Sequence, residues 1–180
     1  MIPAGYLAKR VQKPEGFNID TVADVYSVGD CVNEDFADYI NSWKHNGFWL
    51  FDSPQAIRSV ADENSIDLTG TLFFYYEVYE KEFDGKAWSG VQSEPSMPTQ
   101  VSPPRTKTLE GFDVVAGNAH GHSPLSCNGL AKEIPTNTHC LLTSFDEAFN
   151  ALESGAFIHS ESGPYRIFAV YSIDWPEEHP

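Results

Sequence analysis

Basic residues are scarce in this chain. Its 180 residues include 11 Lys+Arg against 26 Asp+Glu, a formal charge of −15. So negative a surface repels nucleic-acid phosphates and anionic lipid, which sets both aside as partners. It attracts a basic protein and speeds that encounter. Long apolar runs are missing as well, and nothing approaches the roughly 18 consecutive apolar residues of a membrane span. The opening MIPAGYLAKRVQKPEG lacks an apolar run of secretory-leader length, and its Lys-Arg pair follows the weak apolar patch instead of preceding it. Cysteine is limited to Cys31, Cys127 and Cys140, an odd number without framework spacing. That pattern suits reduced thiols in a cytosol better than a secreted disulfide scaffold. There is no Gly-rich phosphate loop, since GDCVNEDF is acidic and lacks the lysine. The expectation is a cytoplasmic protein with no cofactor.

Apolar and aromatic residues are present in ordinary globular proportion, 41% and 13%. The aromatics cluster in FWLF (48–51) and FFYYEVY (73–79), which points to packed strands. VADVYSV (22–28) reads as a buried strand. In NEDFADYINSWKHNG (33–47), Asn33 is a good cap and Phe36, Ala37, Ile40 and Trp43 share one helical face. FWLF reads as a short strand. DSPQAIRSVADEN (52–64) opens with Ser53 as cap and Pro54 at the first helical position. TLFFYYEVYEKEF (71–83) carries aromatics on both faces, which predicts a central strand. FDGK (83–86) is a hairpin signal that turns AWSGV (87–91) back along it.

Four prolines mark 93–108 as a loop or linker. Beyond it, GFDVVAGN (111–118) reads as a strand, SCNGLAKEI (126–134) as a short helix and HCLLT (139–143) as a short strand. In SFDEAFNALESG (144–155), Ser144 and Glu147 form a capping box and Gly155 ends the helix. GPYRIFAVYSIDW (163–175) is the final strand.

The two halves match in order and in letters. FADYI (36–40) lies over LAKEI (130–134), NGFWLF (46–51) over NTHCLL (137–142), Ser53 over Ser144, and FFYYEVYE (73–80) over IFAVYSID (167–174). The expected architecture is therefore α/β or α+β: two similar βαβαβ-like halves, 1–92 and 109–180, joined by 93–108. They would arise by internal duplication and form one compact pseudo-symmetric unit. A ligand site would then fall between the halves.

Chemistry-bearing residues crowd into HGHSPLSCNGLAKEIPTNTHCLL (120–142). Cys140 aligns with Trp49 and is expected in the core; His139, its neighbour in a strand, would point to the opposite face. His120, His122 and Cys127 are too few for a structural zinc site and no Cys-x-x-Cys is present, so no metal is expected. Cys127 near a helix start, with His120 or His122 as base and Glu133 or Asp113 behind it, is the arrangement a cysteine-dependent hydrolase or transferase would use. A second cluster, Glu77, Glu80, Glu82 and Asp84 with Trp88, forms an acidic stripe around the strand end and hairpin, suited to contact with a basic protein. The leading expectation is a non-enzymatic binding module of the inhibitor or toxin-immunity type. The alternatives are the Cys127 enzyme and a small-molecule sensor with its ligand between the halves.

Overall fold

Strand pairing in the computed structural model brings the central tyrosines together. It describes residues 1–29 apart from 12, 14 and 16, then 46–93, 95, 100–117 and 121–174. The elements are β1 (Ile2–Lys9), α1 (Pro54–Asn64), β2 (Leu72–Phe83), β3 (Trp88–Gly90), β4 (Thr108–Ala116), a 3-10 turn (Leu130–Lys132), α2 (Phe145–Glu153) and β5 (Tyr165–Ile173). The five strands form one antiparallel sheet in the order β1-β2-β5-β4, with β3 paired to the end of β2.

β2 is central as its two-sided aromatic pattern predicts: Phe73, Phe74, Tyr75, Tyr76 and Val78 are all buried. Its middle lies against β5, with Tyr75 opposite Tyr171, Tyr76 opposite Val170 and Glu77 opposite Ala169. One sheet thus runs through both 1–92 and 109–180. The Pro-rich stretch bears no element over its described residues until Thr108, where β4 begins.

Both helices start where their caps predict. Ser53 accepts from the Ala56 amide, with Pro54 opening α1, and Ser144 accepts from the Glu147 amide. The Glu147 carboxylate reaches back toward the Ser144 amide, as the capping box predicts, and also receives the Thr143 amide and hydroxyl. α1 buries Ile57, Val60 and Ala61; α2 buries Ala148 and Leu152 and rests Phe145 on Tyr79 of β2.

Four expectations require correction. The first strand is β1 at 2–9, a stretch that sequence reading passed over, and 22–28 forms no strand. Val22, Val25 and Val28 are buried, yet the segment bonds to loop carbonyls of Thr138 and His139 and to the Asp113 carboxylate, not to a strand. FWLF and HCLLT each reduce to one bridge residue, Phe51 opposite Tyr6 and Leu142 opposite Phe112. The cause is a left-handed residue in each, Trp49 and Cys140, both at φ 61°. The helix expected at 126–134 shrinks to the 3-10 turn. The helix expected from Asn33 falls on residues outside the described ones.

Two close approaches hold the cover on the sheet. At β-bulges, Gly5 has φ 145° and Gly111 has φ 152°. A Cβ on Gly5 would stand 2.5 Å from Leu50 Cβ, and one on Gly111 would stand 2.7 Å from the Leu142 carbonyl oxygen. Asn46 clamps the first contact: its Nδ2 donates to the Ala4 carbonyl (3.1 Å), and its Oδ1 accepts from the Phe48 (3.0 Å) and Leu50 (3.4 Å) amides. Asn137 makes the corresponding bonds to Glu110, His139 and Leu141 (2.8, 2.9 and 3.1 Å).

Asn46→Ala strips a buried site of both donor and acceptor. We expect a loss of about 2–4 kcal/mol, read as a lower urea midpoint at unchanged slope. A midpoint within error of the parent would refute the clamp.

Candidate functional site

The histidine and cysteine cluster does not assemble. His120 and Cys31 lie outside the described residues. His122 Nε2 meets Asn128 Oδ1 at 3.0 Å, while its carbonyl receives the Ala116 amide at the end of β4. Cys127 is disulfide-bonded. A sulfur in that state is no thiolate nucleophile, so the proposed Cys127–histidine pair lacks its attacking group. The bond also departs from the reduced thiols expected here. Cys140 is the buried free cysteine, as its alignment predicts, and burial, with Asp113 nearby, pushes its thiol up to about 12. His139 turns to Asp24, Nδ1 to Oδ1 2.5 Å, and stacks on Tyr26 at 4.0 Å. Among the described residues no group of three His, Cys, Asp or Glu side chains is placed to hold a metal ion.

The acidic stripe divides. Glu82 is buried and bonds Arg166 Nε at 2.9 Å. Glu77 is half-buried and receives Lys107. Asp84 is exposed and closes the hairpin by accepting from the Lys86 and Ala87 amides, both at 2.8 Å. Glu80 is exposed. Trp88, expected in the contact stripe, is half-buried and packed: it stacks on Phe149 (4.6 Å, 3° between planes), touches Phe83 and Tyr79, and donates through Nε1 to Glu153 at 3.1 Å. The hairpin turn points its ring onto α2.

Two polar constellations escaped sequence reading. The first is internal. Lys9 at the end of β1 and Asp113 in β4 are both fully buried. Lys9 donates to the Ser27 carbonyl and lies over the Phe74 ring. Asp113 accepts from Ser123 Oγ (2.6 Å) and the Val28 amide (2.8 Å), and Ser27 and Ser126 share a hydrogen bond of 2.9 Å. Desolvation drives Lys9 down to about 7, against the pull of Asp113 and Asp24. Desolvation lifts Asp113 to about 6 despite Ser123, Val28 and Lys9. Such values suit acid–base chemistry, but both groups are sealed from solvent; their role is to tie 22–28 to the sheet.

The second lies on the opposite face of β2, the face of Tyr75 and Glu77. Lys107 Nζ sits 4.0 Å from the Tyr171 ring centroid and 4.9 Å from that of Tyr75, and bonds Glu77 Oε1. The phenols of Tyr171 and Tyr75 donate to the same carboxylate at 3.1 and 3.3 Å. Partial burial alone would raise the Glu77 carboxyl; the bonds from Lys107, Tyr171 and Tyr75 outweigh it and hold it below its ordinary value.

Other surfaces are plainer. An open depression of about 540 Å³ runs between α1 and the start of β2, lined by Arg58, Asp62, Asp67 and Phe73. It belongs to 1–92 and does not lie between the halves. No helix among the described residues is long and apolar enough to cross a membrane. No family model, curated protein or solved structure matches this chain.

The internal pair makes a signed prediction. Between about 4 and 6, the native state holds a proton on Asp113 that the unfolded chain releases, so its contribution to stability falls as pH rises. Between about 7 and 10.5, the unfolded chain keeps a proton on Lys9 that the native state has lost, so stability rises with pH. Asp113→Asn should flatten the lower window and Lys9→Met the upper, relative to the parent, in denaturant titrations across pH. Unchanged slopes in both variants would contradict the assignment.

Proposed function

We propose that the chain is a non-enzymatic protein-binding module of the inhibitor or toxin-immunity type, which receives a basic protein on its acidic side. The supporting observation is the surface around α2. The sequence from 133 to 165 contains no lysine or arginine. Within it Asp146, Glu147 and Glu153 are exposed on α2, and Ile158, just beyond, is 73% exposed. Trp88 and Phe149 lie half-buried beside these acids. Aromatic and aliphatic anchors with a charged rim are the composition of a binding surface.

Several of the chain's cations are engaged away from this helix. Lys9 is buried, Lys107 holds Glu77, Arg166 holds Glu82, and Lys13 donates to the Ile19 carbonyl. Glu80 and Asp84 of the expected stripe remain part of the surface; Glu77, Glu82 and Trp88 act from beneath or beside it. The proposal does not extend to a cytoplasmic location, because a disulfide such as that of Cys127 is what a reducing cytosol removes.

Internal duplication is the second part of the reading. It is supported by the paired Gly5 and Gly111 bulges, the Asn46 and Asn137 clamps, the left-handed Trp49 and Cys140, and the Ser53 and Ser144 caps. Two copies of one unit, diverged at the surface, would explain why only the second carries the cation-free helix.

A pull-down with tagged chain at low and high salt, read by mass spectrometry, tests the proposal. We expect a basic protein retained at low salt and released at high salt, as steering charges are screened. Asp146→Lys with Glu153→Lys should slow association by about tenfold or more. Retention that ignores both salt and charge reversal would end this reading.

A further inference from the structure

The site at Glu77 has the parts of a cation receptor, and its occupant is the chain's own. Tyr75 and Tyr171 face each other across the central strand pair, ring centroids 5.9 Å apart. Both phenols donate to Glu77, so the carboxylate is oriented by groups on β2 and β5 whether or not an ammonium is present. A ring face attracts a cation through its quadrupole, and an oriented carboxylate adds a charge-assisted bond. Glu77 also bonds Lys107 through one oxygen, a contact suited to a compact ammonium more than to the planar fork of a guanidinium.

Receptor and occupant differ in how they are held. The rings and Glu77 stand on the two central strands. Lys107 comes from the end of the Pro-rich connection, where Ser102, Pro103, Arg105 and Thr106 are exposed. The next residue, Thr108, opens β4 and pairs with Ser172 of β5, and upstream the Tyr6 hydroxyl donates to the Ser102 carbonyl at 2.5 Å. The site is open to solvent: the Lys107 and Glu77 side chains are 27% and 16% exposed. Leu109 pairs with Tyr171 on the same face and is 48% exposed, an apolar rim for the stem of an incoming lysine.

We infer that Tyr75, Tyr171 and Glu77 form a receptor for a primary alkylammonium group, which Lys107 fills until a lysine side chain of a basic protein partner displaces it. The natural source of that lysine rests on the protein-binding reading above; the receptor itself does not. A tethered occupant competes at an effective concentration in the millimolar range. The unmodified chain therefore binds amines weakly, and the connection acts as a built-in competitor that only a well-anchored lysine overcomes.

The test uses n-butylammonium as probe and the Tyr75 and Tyr171 ring resonances as readout. Lys107→Ala should bind the amine saturably, at least about tenfold more tightly than the parent chain, and Glu77→Gln in that background should abolish binding. Lys107→Met keeps the apolar stem and serves if the alanine variant does not fold. In the parent chain the Lys107 Cε resonance should move from its ring-shifted to its free position as amine is added. A natively folded Lys107 variant without saturable shifts, or a Cε resonance unmoved by the amine, overturns the receptor. Amine binding without salt-sensitive protein capture would sink the protein partner alone; capture without amine binding would sink the receptor alone.

Discussion

The close approach of two loops to two bulged glycines is the constraint on which the rest of the fold depends. Gly5 and Gly111 leave no room for a Cβ because Leu50 and the 141–142 backbone lie directly against them. Each loop is locked there by an asparagine that bonds both the strand and its own turn. From that contact the chain crosses the sheet edge through one bridge residue, Phe51 or Leu142, and enters a capped helix within three residues. Bulge, clamp, edge closure and helix entry are thus one continuous device. It also protects the outer strands, whose open edges would otherwise template pairing with another chain.

Beneath the cover, an irregular segment is held by polar groups instead of a ladder. Residues 22–28 need partners for their amides and find them in Thr138, His139 and the carboxylate of Asp113. Burying Asp113 and Lys9 is unfavourable in isolation, as their opposed displacement toward neutrality indicates. The hydrogen bonds from Ser123 and Val28 and the proximity of opposite charge offset that penalty. Replacing either member alone leaves the other without its counter-charge, which is why a polar centre of this kind specifies one arrangement of the cover.

Legibility in the sequence followed how local each signal was. Ser53-Pro54 and Ser144 with Glu147 name their helices because capping involves neighbours three residues apart. β2 and β5 declare themselves by aromatic density, and FDGK gives the hairpin. β1 carries no strand signal because IPAGYLAK mixes Pro, Gly and Ala with a terminal lysine that is buried only through contacts far along the chain. The valines of 22–28 signal burial, and burial without strand pairing leaves the same pattern of letters. Nothing marks Trp49 or Cys140 as left-handed, since neither is Gly or Asn. At the surface, Glu77 and Glu82 looked like free acids; their partners Lys107 and Arg166 are 30 and 84 residues away. Cys127 reads as reactive because nothing in its own stretch of sequence marks a disulfide-bonded sulfur.

The same long-range pairing shapes the electrostatics. A charge of −15 spread evenly would be a statement about solubility. Here Lys9, Lys107 and Arg166 are engaged by groups elsewhere in the fold, while α2 keeps its acids and has no cation of its own. That helix is locally acidic. It rests on an aromatic bed of Trp88, Phe145 and Phe149 that the hairpin and α2 share. Charge brings a basic partner to such a surface quickly, but affinity then depends on desolvated anchors. The exposed Ile158 and the half-buried aromatic stack lie beside the acids, and the protein-binding proposal rests on that juxtaposition.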